Sequence, residues 1–313
     1  MSNEATALLG LDWGTTSLRA YRIARRGEVL ERRSREAGIL RVPGGDYAAA
    51  LLAAIGDWWD RAPAVPVIAS GMIGSRQGWR EIPYVDCPAG LEELARGLGE
   101  AELPDGRRML IVPGLLRPAG EASFPDVMRG EETQILGERH APSGRYVLPG
   151  THSKWALCEA GRISSFATYM TGELFDVLRH HSILGRLMTG DAPDEAAFAG
   201  GLERARASGT APPGRLLHDL FSARTLGLTD AVSGAALASY LSGLLIGSEI
   251  LAALDGASAE EIVVLGSGTL TDLYARAIAA MQVRVVAGPS DAAARGLYAV
   301  ACAADLIGDQ GDA

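Results

Sequence analysis

Two stretches of this chain follow the same order of strand, polar turn and strand, and both turns combine glycine with hydroxyl side chains. The first, LLGLDWGTTSLRAYRI, runs from Leu8 to Ile23. The second surrounds Pro149-Gly150-Thr151-His152-Ser153, between apolar segments at 145–148 and 155–158. A strand that reverses at Trp13-Gly14-Thr15-Thr16-Ser17 brings backbone N–H groups, hydroxyl donors and the Asp12 carboxylate to one point. One such turn on its own fits an ordinary hairpin. Recurrence in the second half constrains the chain more: it implies two α/β halves of shared plan, and a single phosphate chain gripped by both turns explains the pair. Asp12 would then hold Mg2+ through water, since magnesium keeps most of its hydration shell and takes few carboxylates beside phosphate oxygens.

The remaining pattern agrees with two halves. With 313 residues, 48% of them hydrophobic, the chain is long enough for two packed domains. Strand signals at 8–12, 18–23 and 29–35 precede a helix over 46–60, a buried strand at 65–69 and a glycine-rich polar loop at 70–79. The pattern restarts after Ser123-Phe124-Pro125, with a helix from Glu131 and strands around the second turn. Helical spacing then prevails from Gly172 to Leu254, broken at Asp191-Ala192-Pro193 and Ala211-Pro212-Pro213-Gly214. A final β-α pair leads to a small-residue helix. The expected division is residues 1–125, 126–290 and a terminal helix within 291–313 that packs back near the domain junction.

A formal charge of -9 disfavours nucleic acid and anionic membrane as partners. The three cysteines, Cys87, Cys158 and Cys302, have no metal-like spacing and read as reduced structural thiols. The N-terminus lacks an apolar signal region, and the run from Tyr240 to Leu254 is interrupted by Ser242, Gly243, Ser248 and Glu249. A cytoplasmic protein is expected. Its partner is a small molecule, and a homodimer is left open.

A third glycine motif, Gly266-Ser267-Gly268, follows the buried segment Val263-Val264-Leu265 and opens a helix. A dinucleotide fingerprint is a poor match, because Thr271 stands where glycine or alanine is required. These residues instead suit backbone packed flat against an adenosine, with the helix N-terminus near the α-phosphate. Together with the two phosphate turns and the helix 292–304, this motif resembles the sugar kinase, hexokinase and actin superfamily of ATPases. Four segments, LDWGTTSLRAY, ASGMIGSRQGWREIPYVDCPAG, MRGEETQILG and LPGTHSKW, are similar to the 2-dehydro-3-deoxygalactonokinase family, and the similarity runs from Leu8 to about Ala304. The resemblance implies a two-domain actin-like ATPase (ribonuclease H-like) α/β fold with an interdomain cleft. It also implies ATP and Mg2+ as cofactors, and phosphorylation of the terminal hydroxyl of a 2-keto-3-deoxy sugar acid.

That reaction needs a carboxylate to take the hydroxyl proton. Glu131 and Glu132 stand where related sugar kinases carry an aspartate in a Gly-Asp-Gln-like segment, and Glu131 is favoured because it directly follows Gly130. Acidic residues are also common in a first helical turn, which is the plain alternative. A sugar acid calls for a local cation, and Arg76 in Gly74-Ser75-Arg76-Gln77-Gly78-Trp79 is the first choice. Trp13 and Trp79 are candidate apolar walls, Tyr84 a hydrogen-bonding group, and Lys154 a contact to phosphate or substrate. The phosphate-binding set is Gly14, Thr15, Thr16, Gly150, Thr151, His152 and Ser153. His180 and His181 lack a metal-ligand spacing. Two rival functions remain open: a phosphohydrolase of the same superfamily, and a non-catalytic protein switched by nucleotide.

Overall fold

The computed structural model describes residues 5–120, 124–138, 143–209, 215–254 and 261–307; the expected helix break at 211–214 and both chain ends lie outside the described residues. The first elements are β1 (Thr6–Trp13), β2 (Leu18–Ala24), β3 (Val29–Arg35), α1 (Tyr47–Arg61), β4 (Val67–Ser70), β5 (Val85–Asp86) and α2 (Leu91–Arg96). Next come β6 (Gly99–Glu102), β7 (Arg108–Ile111), β8 (Leu115–Arg117), β9 (Asp126–Met128), α3 (Glu131–Gly137), β10 (Gly144–Leu148), β11 (Ser153–Glu159) and β12 (Arg162–Tyr169). The chain continues through α4 (Thr171–His181), α5 (Glu195–Gly209), α6 (Arg215–Leu220), α7 (Ser222–Leu228) and α8 (Leu237–Leu254). It ends with β13 (Glu261–Val264), α9 (Thr269–Ala280), β14 (Arg284–Ala287) and α10 (Ala292–Ala303). Two compact units result: residues 1–144 with 156–166 and 288–313, and residues 145–155 with 167–287. Segment 126–144, with Glu131 and Glu132, therefore groups with the first unit.

In the first unit the strands lie in the order β3-β2-β1-β4-β7-β6. β1 is antiparallel to β2 and parallel to β4, which sets Asp12 opposite Ser70. The apolar run of β1 reflects cover on both faces. Leu9, Leu11 and Trp13 join a core with Leu51, Ile55 and Trp58 of α1, while Leu297 of α10 comes against Gly10. α1 starts at Asp46, whose carboxylate accepts the Ala49 N–H at 3.0 Å. β3 is the charged edge, and its Arg33 guanidinium lies 3.9 Å from the Trp58 ring centre. A small sheet, β5-β8-β9, completes the unit.

α10 holds α3 in place through a contact of backbone on backbone. A Cβ on Gly296 would stand 1.8 Å from the Thr133 carbonyl oxygen, and one on Gly137 would stand 2.1 Å from that of Ala292. Neither backbone yields as a side chain would. Gly296→Ala is therefore expected to lower stability by about 3 kcal/mol through overpacking; an unchanged urea midpoint would contradict this close approach.

The five-stranded sheet has the order β12-β11-β10-β13-β14, with β13 parallel to both β10 and β14. In the second unit, Val147 and Trp155 pack with Ile246 and Ile250 of α8, Ile262 and Val264 of β13, and Tyr274 and Ile278 of α9. α8 is apolar around its circumference, as suits a core helix, and Leu237, Leu241 and Leu244 are fully buried.

Candidate active site

Asp12 is the penultimate residue of β1 and lies beside Ser70, at the C-terminal ends of two parallel strands, the edge at which open α/β sheets bind ligands. Its carboxylate is largely buried, with the Arg19 guanidinium at 3.3 Å. Burial raises its pKa against the opposing pull of Arg19, and the charge of Glu131 raises it further. Asp12 and Glu131 are thus electrostatic neighbours. The adjoining turn is closed by the Gly14 N–H donating to the Ser17 carbonyl at 3.0 Å, and Thr15 and Thr16 are exposed on it.

The two glutamates differ sharply. Gly130, at φ 105°, opens α3 in a conformation that suits only glycine. The Glu132 carboxylate turns back on it, with oxygens 2.9 and 2.7 Å from the Gly130 N–H, and Oε1 accepts the Thr133 hydroxyl at 3.0 Å. Glu132 is fully buried, and burial, then the Glu131 charge, push its pKa up to about 8. Glu131 is half-buried and accepts the Arg129 N–H at 3.0 Å. Only Glu131 of the pair is accessible.

In the second unit the turn at Gly150 and the turn at Gly266 leave from neighbouring parallel strands, with Val147 opposite Val264 and the Leu265 N–H bonded to the Val147 carbonyl. Thr151 and His152 are exposed, and His152 is hydrogen-bonded to Glu173 of α4. Lys154 is buried, with Nζ donating to the His152 carbonyl at 3.0 Å. Gly266, Ser267 and Gly268 form an exposed turn into α9. Near them lies a cavity of about 340 Å3, lined by Thr171, Phe175, Thr269, Leu270, Leu273 and Tyr274 among others.

Two expectations need correction. Ser153 is fully buried, and its hydroxyl pairs with the Tyr274 hydroxyl at 2.8 Å, so its side chain braces the turn from behind and presents no hydroxyl outward. Trp13 is fully buried with its indole N–H donating to the Ala37 carbonyl at 2.8 Å; it belongs to the core and forms no open wall. Among the other substrate candidates, Arg76 has 86% of its side chain exposed and pairs with Glu81 at 3.3 Å. Trp79 stacks on Tyr47 at 6.3 Å, and Tyr84 is exposed over the Arg129 guanidinium.

Comparison with known proteins decides the family. The model of the 2-keto-3-deoxy-galactonokinase family matches residues 12–300. The chain belongs to the 2-keto-3-deoxy-galactonokinase family. It is 37% identical to the 2-dehydro-3-deoxygalactonokinase of Escherichia coli K12 over 91% of this chain and 94% of that one. It is also 40% identical to a Rhizobium meliloti protein named "Probable 2-dehydro-3-deoxygalactonokinase", over 93% and 95%. A crystal structure of a Sinorhizobium meliloti protein, provisionally described as a 2-dehydro-3-deoxygalactonokinase, superposes with a TM-score of 0.84 at 35% identity, covering 96% and 99%. The fold extends further: the activator of 2-hydroxyisocaproyl-CoA dehydratase from Clostridium difficile, solved with ADPNP, reaches a TM-score of 0.50 at 12% identity. This galactonokinase-family chain thus has the α/β fold of actin-like ATPases and sugar kinases.

Two buried residues of this family member carry structure that motif reading passed over. In the second unit, Glu249 accepts from the Trp155 indole at 2.7 Å and from the Tyr274 hydroxyl at 2.6 Å, behind the Gly150 turn. Burial raises the Glu249 pKa. In the first unit, Arg129 immediately precedes the Gly130-Glu131-Glu132 corner and is 7% exposed. Its sequence signal was the Met-Arg-Gly segment already visible in MRGEETQILG.

Proposed function

We propose that this chain transfers the γ-phosphoryl group of ATP to the 6-hydroxyl of 2-dehydro-3-deoxy-D-galactonate, as a step of galactonate catabolism. The observation that carries the residue assignment is the contrast between Glu131 and Glu132: one carboxylate is accessible beside Asp12, and the other is sealed into the backbone. Glu131 takes the 6-hydroxyl proton as the oxygen attacks phosphorus, and the electron pair of the breaking bond passes to ADP. Glu132 acts through Glu131, by fixing Gly130 and the start of α3.

Asp12 would hold Mg2+. Magnesium that arrives on nucleotide phosphates takes only one or two carboxylates from the protein, and the Asp12 carboxylate lies at the C-terminal edge of the sheet. The Asp12 carboxylate, raised in pKa by burial and by the Glu131 charge, would be stabilised in its ionised form by a divalent cation held there. When bound, Mg2+ neutralises charge developing on the phosphoryl oxygens. The exposed Thr15 and Thr16 hydroxyls and the Gly14 turn hold phosphate from the first unit. In the second unit, Gly150, Thr151 and His152 are the phosphate-binding groups, with Lys154 bracing that turn through the His152 carbonyl. Gly266, Ser267 and Gly268 pack on adenosine, and the apolar members of the neighbouring cavity suit its base.

Release of ADP in a coupled assay tests the reading. ADP is expected only when the keto-deoxy sugar acid is present with MgATP, and ADP formed at the same rate without sugar would make the protein a hydrolase.

A further inference from the structure

The first unit buries a cation that it does not satisfy. Arg129 donates from Nη2 to the Ile82 carbonyl at 2.7 Å, yet Nε and Nη1 are buried and have no partner. These two nitrogens carry three of the five N–H donors of a guanidinium. The positive charge is permanent, and burying it with unpaired donors costs several kcal/mol unless an anion completes the site. Cation–π contact with Tyr84, 4.4 Å from the guanidinium carbon, covers one face but gives the N–H groups nothing to bond.

The surroundings are shaped around that guanidinium. A Cβ on Gly74 would lie 2.9 Å from Nη1, so glycine lets the charged head come against the loop backbone. The next residue, Ser75, is 9% exposed and its hydroxyl is also buried without a partner, as is that of Ser70 opposite Asp12. An arginine with free donors and hydroxyls with free bonding capacity thus occur in the loop and corner next to Glu131. Arg76, the exposed rival, already has Glu81 for a partner and pays no desolvation cost.

We infer that Arg129 is the receptor for the carboxylate of the sugar-acid substrate, with Ser75 completing the anion site. This rests on the kinase reading above and deepens it. Arg129 and Glu131 flank Gly130, so one corner of the first unit supplies groups for both ends of a six-carbon acid: a cation for C1 and a base for the 6-hydroxyl. Selection of an acid over a neutral sugar then comes from a site whose buried donors stay unpaired when the carboxylate is missing.

The test measures initial rates with 2-dehydro-3-deoxygalactonate and with its C1 carboxamide, on wild type, Arg129→Gln, Arg129→Lys and Arg76→Gln. The wild type should discriminate against the carboxamide by about 100-fold or more in kcat/KM. Arg129→Gln should raise KM for the acid by a similar factor, leave KM for ATP within about twofold, and erase the preference for acid over amide. Arg129→Lys should recover only part of the loss, since a point charge replaces the planar guanidinium. Equal wild-type rates on acid and amide would overturn the inference without any variant, which covers the case of a variant that fails to fold. It would also be overturned if Arg76→Gln raised KM for the acid and Arg129→Gln did not, or if Arg129→Gln raised KM for acid and amide alike. A wild type inactive on the acid would instead defeat the kinase reading itself.

Discussion

Glu131→Gln should reduce kcat by about 10³-fold while the KM for ATP stays within about twofold. The expected size is that of a general base removed from a positioned site. Glutamine keeps the oxygen that accepts the Arg129 N–H at 3.0 Å, so the corner at Gly130 should hold its shape and the loss should fall on chemistry. The contrast with a metal ligand is diagnostic: replacing Asp12 with asparagine should show its defect mainly as a raised requirement for Mg2+. A Glu131→Gln enzyme with wild-type kcat would remove Glu131 from the mechanism.

The second large effect is on stability. Glu132 is fully enclosed and its pKa is pushed from the ordinary 4.5 to about 8, so the folded state holds a proton that the unfolded chain has released. Below pH 4.5 both states are protonated and the group costs nothing. As pH rises from there to about 8 the unfolded state alone ionises, and stability falls by about 1.4 kcal/mol per pH unit, roughly 5 kcal/mol over the window. Glu132→Gln imitates the protonated acid and removes that slope. Urea unfolding in the absence of nucleotide and divalent cation, compared at pH 5 and pH 8, should show the variant gaining several kcal/mol on the wild type. Parallel profiles for the two proteins would contradict the burial of a proton at Glu132.

Much of this was legible from residue order because the determining interactions are local. α1 was readable as a helix over 46–60, and it runs from Tyr47 to Arg61, with Asp46 as its cap. The two polar turns were readable because the same order of strand, polar turn and strand recurs in both halves of the sequence. β6, with sequence GEAE, was not readable: it has no apolar alternation and exists because β7 pairs with it. β5, β8 and β9 are two or three residues long, too short to show a period.

The site followed the same division. Asp12 and the glutamates are marked by their neighbours in sequence. Burial is a tertiary property, and it is burial that separates Glu132 from Glu131, turns Ser153 inward, and places Trp13 in the core. It also separates Arg76 from Arg129. A loop rich in glycine and hydroxyls made Arg76 the natural choice by composition, yet its side chain is 86% exposed, while Arg129 is buried beneath Tyr84. Glu249 read as an interruption of an apolar run; in the folded chain it collects the Trp155 and Tyr274 donors inside the second unit.

The central claim is that this chain moves a phosphoryl group from ATP onto a sugar acid, and 31P NMR of the reaction tests it most directly. With MgATP and 2-dehydro-3-deoxygalactonate, one phosphomonoester coupled to the C6 protons should appear for each ADP formed, with no inorganic phosphate ahead of it. Inorganic phosphate as the sole new resonance, at a rate indifferent to the sugar acid, would contradict the account.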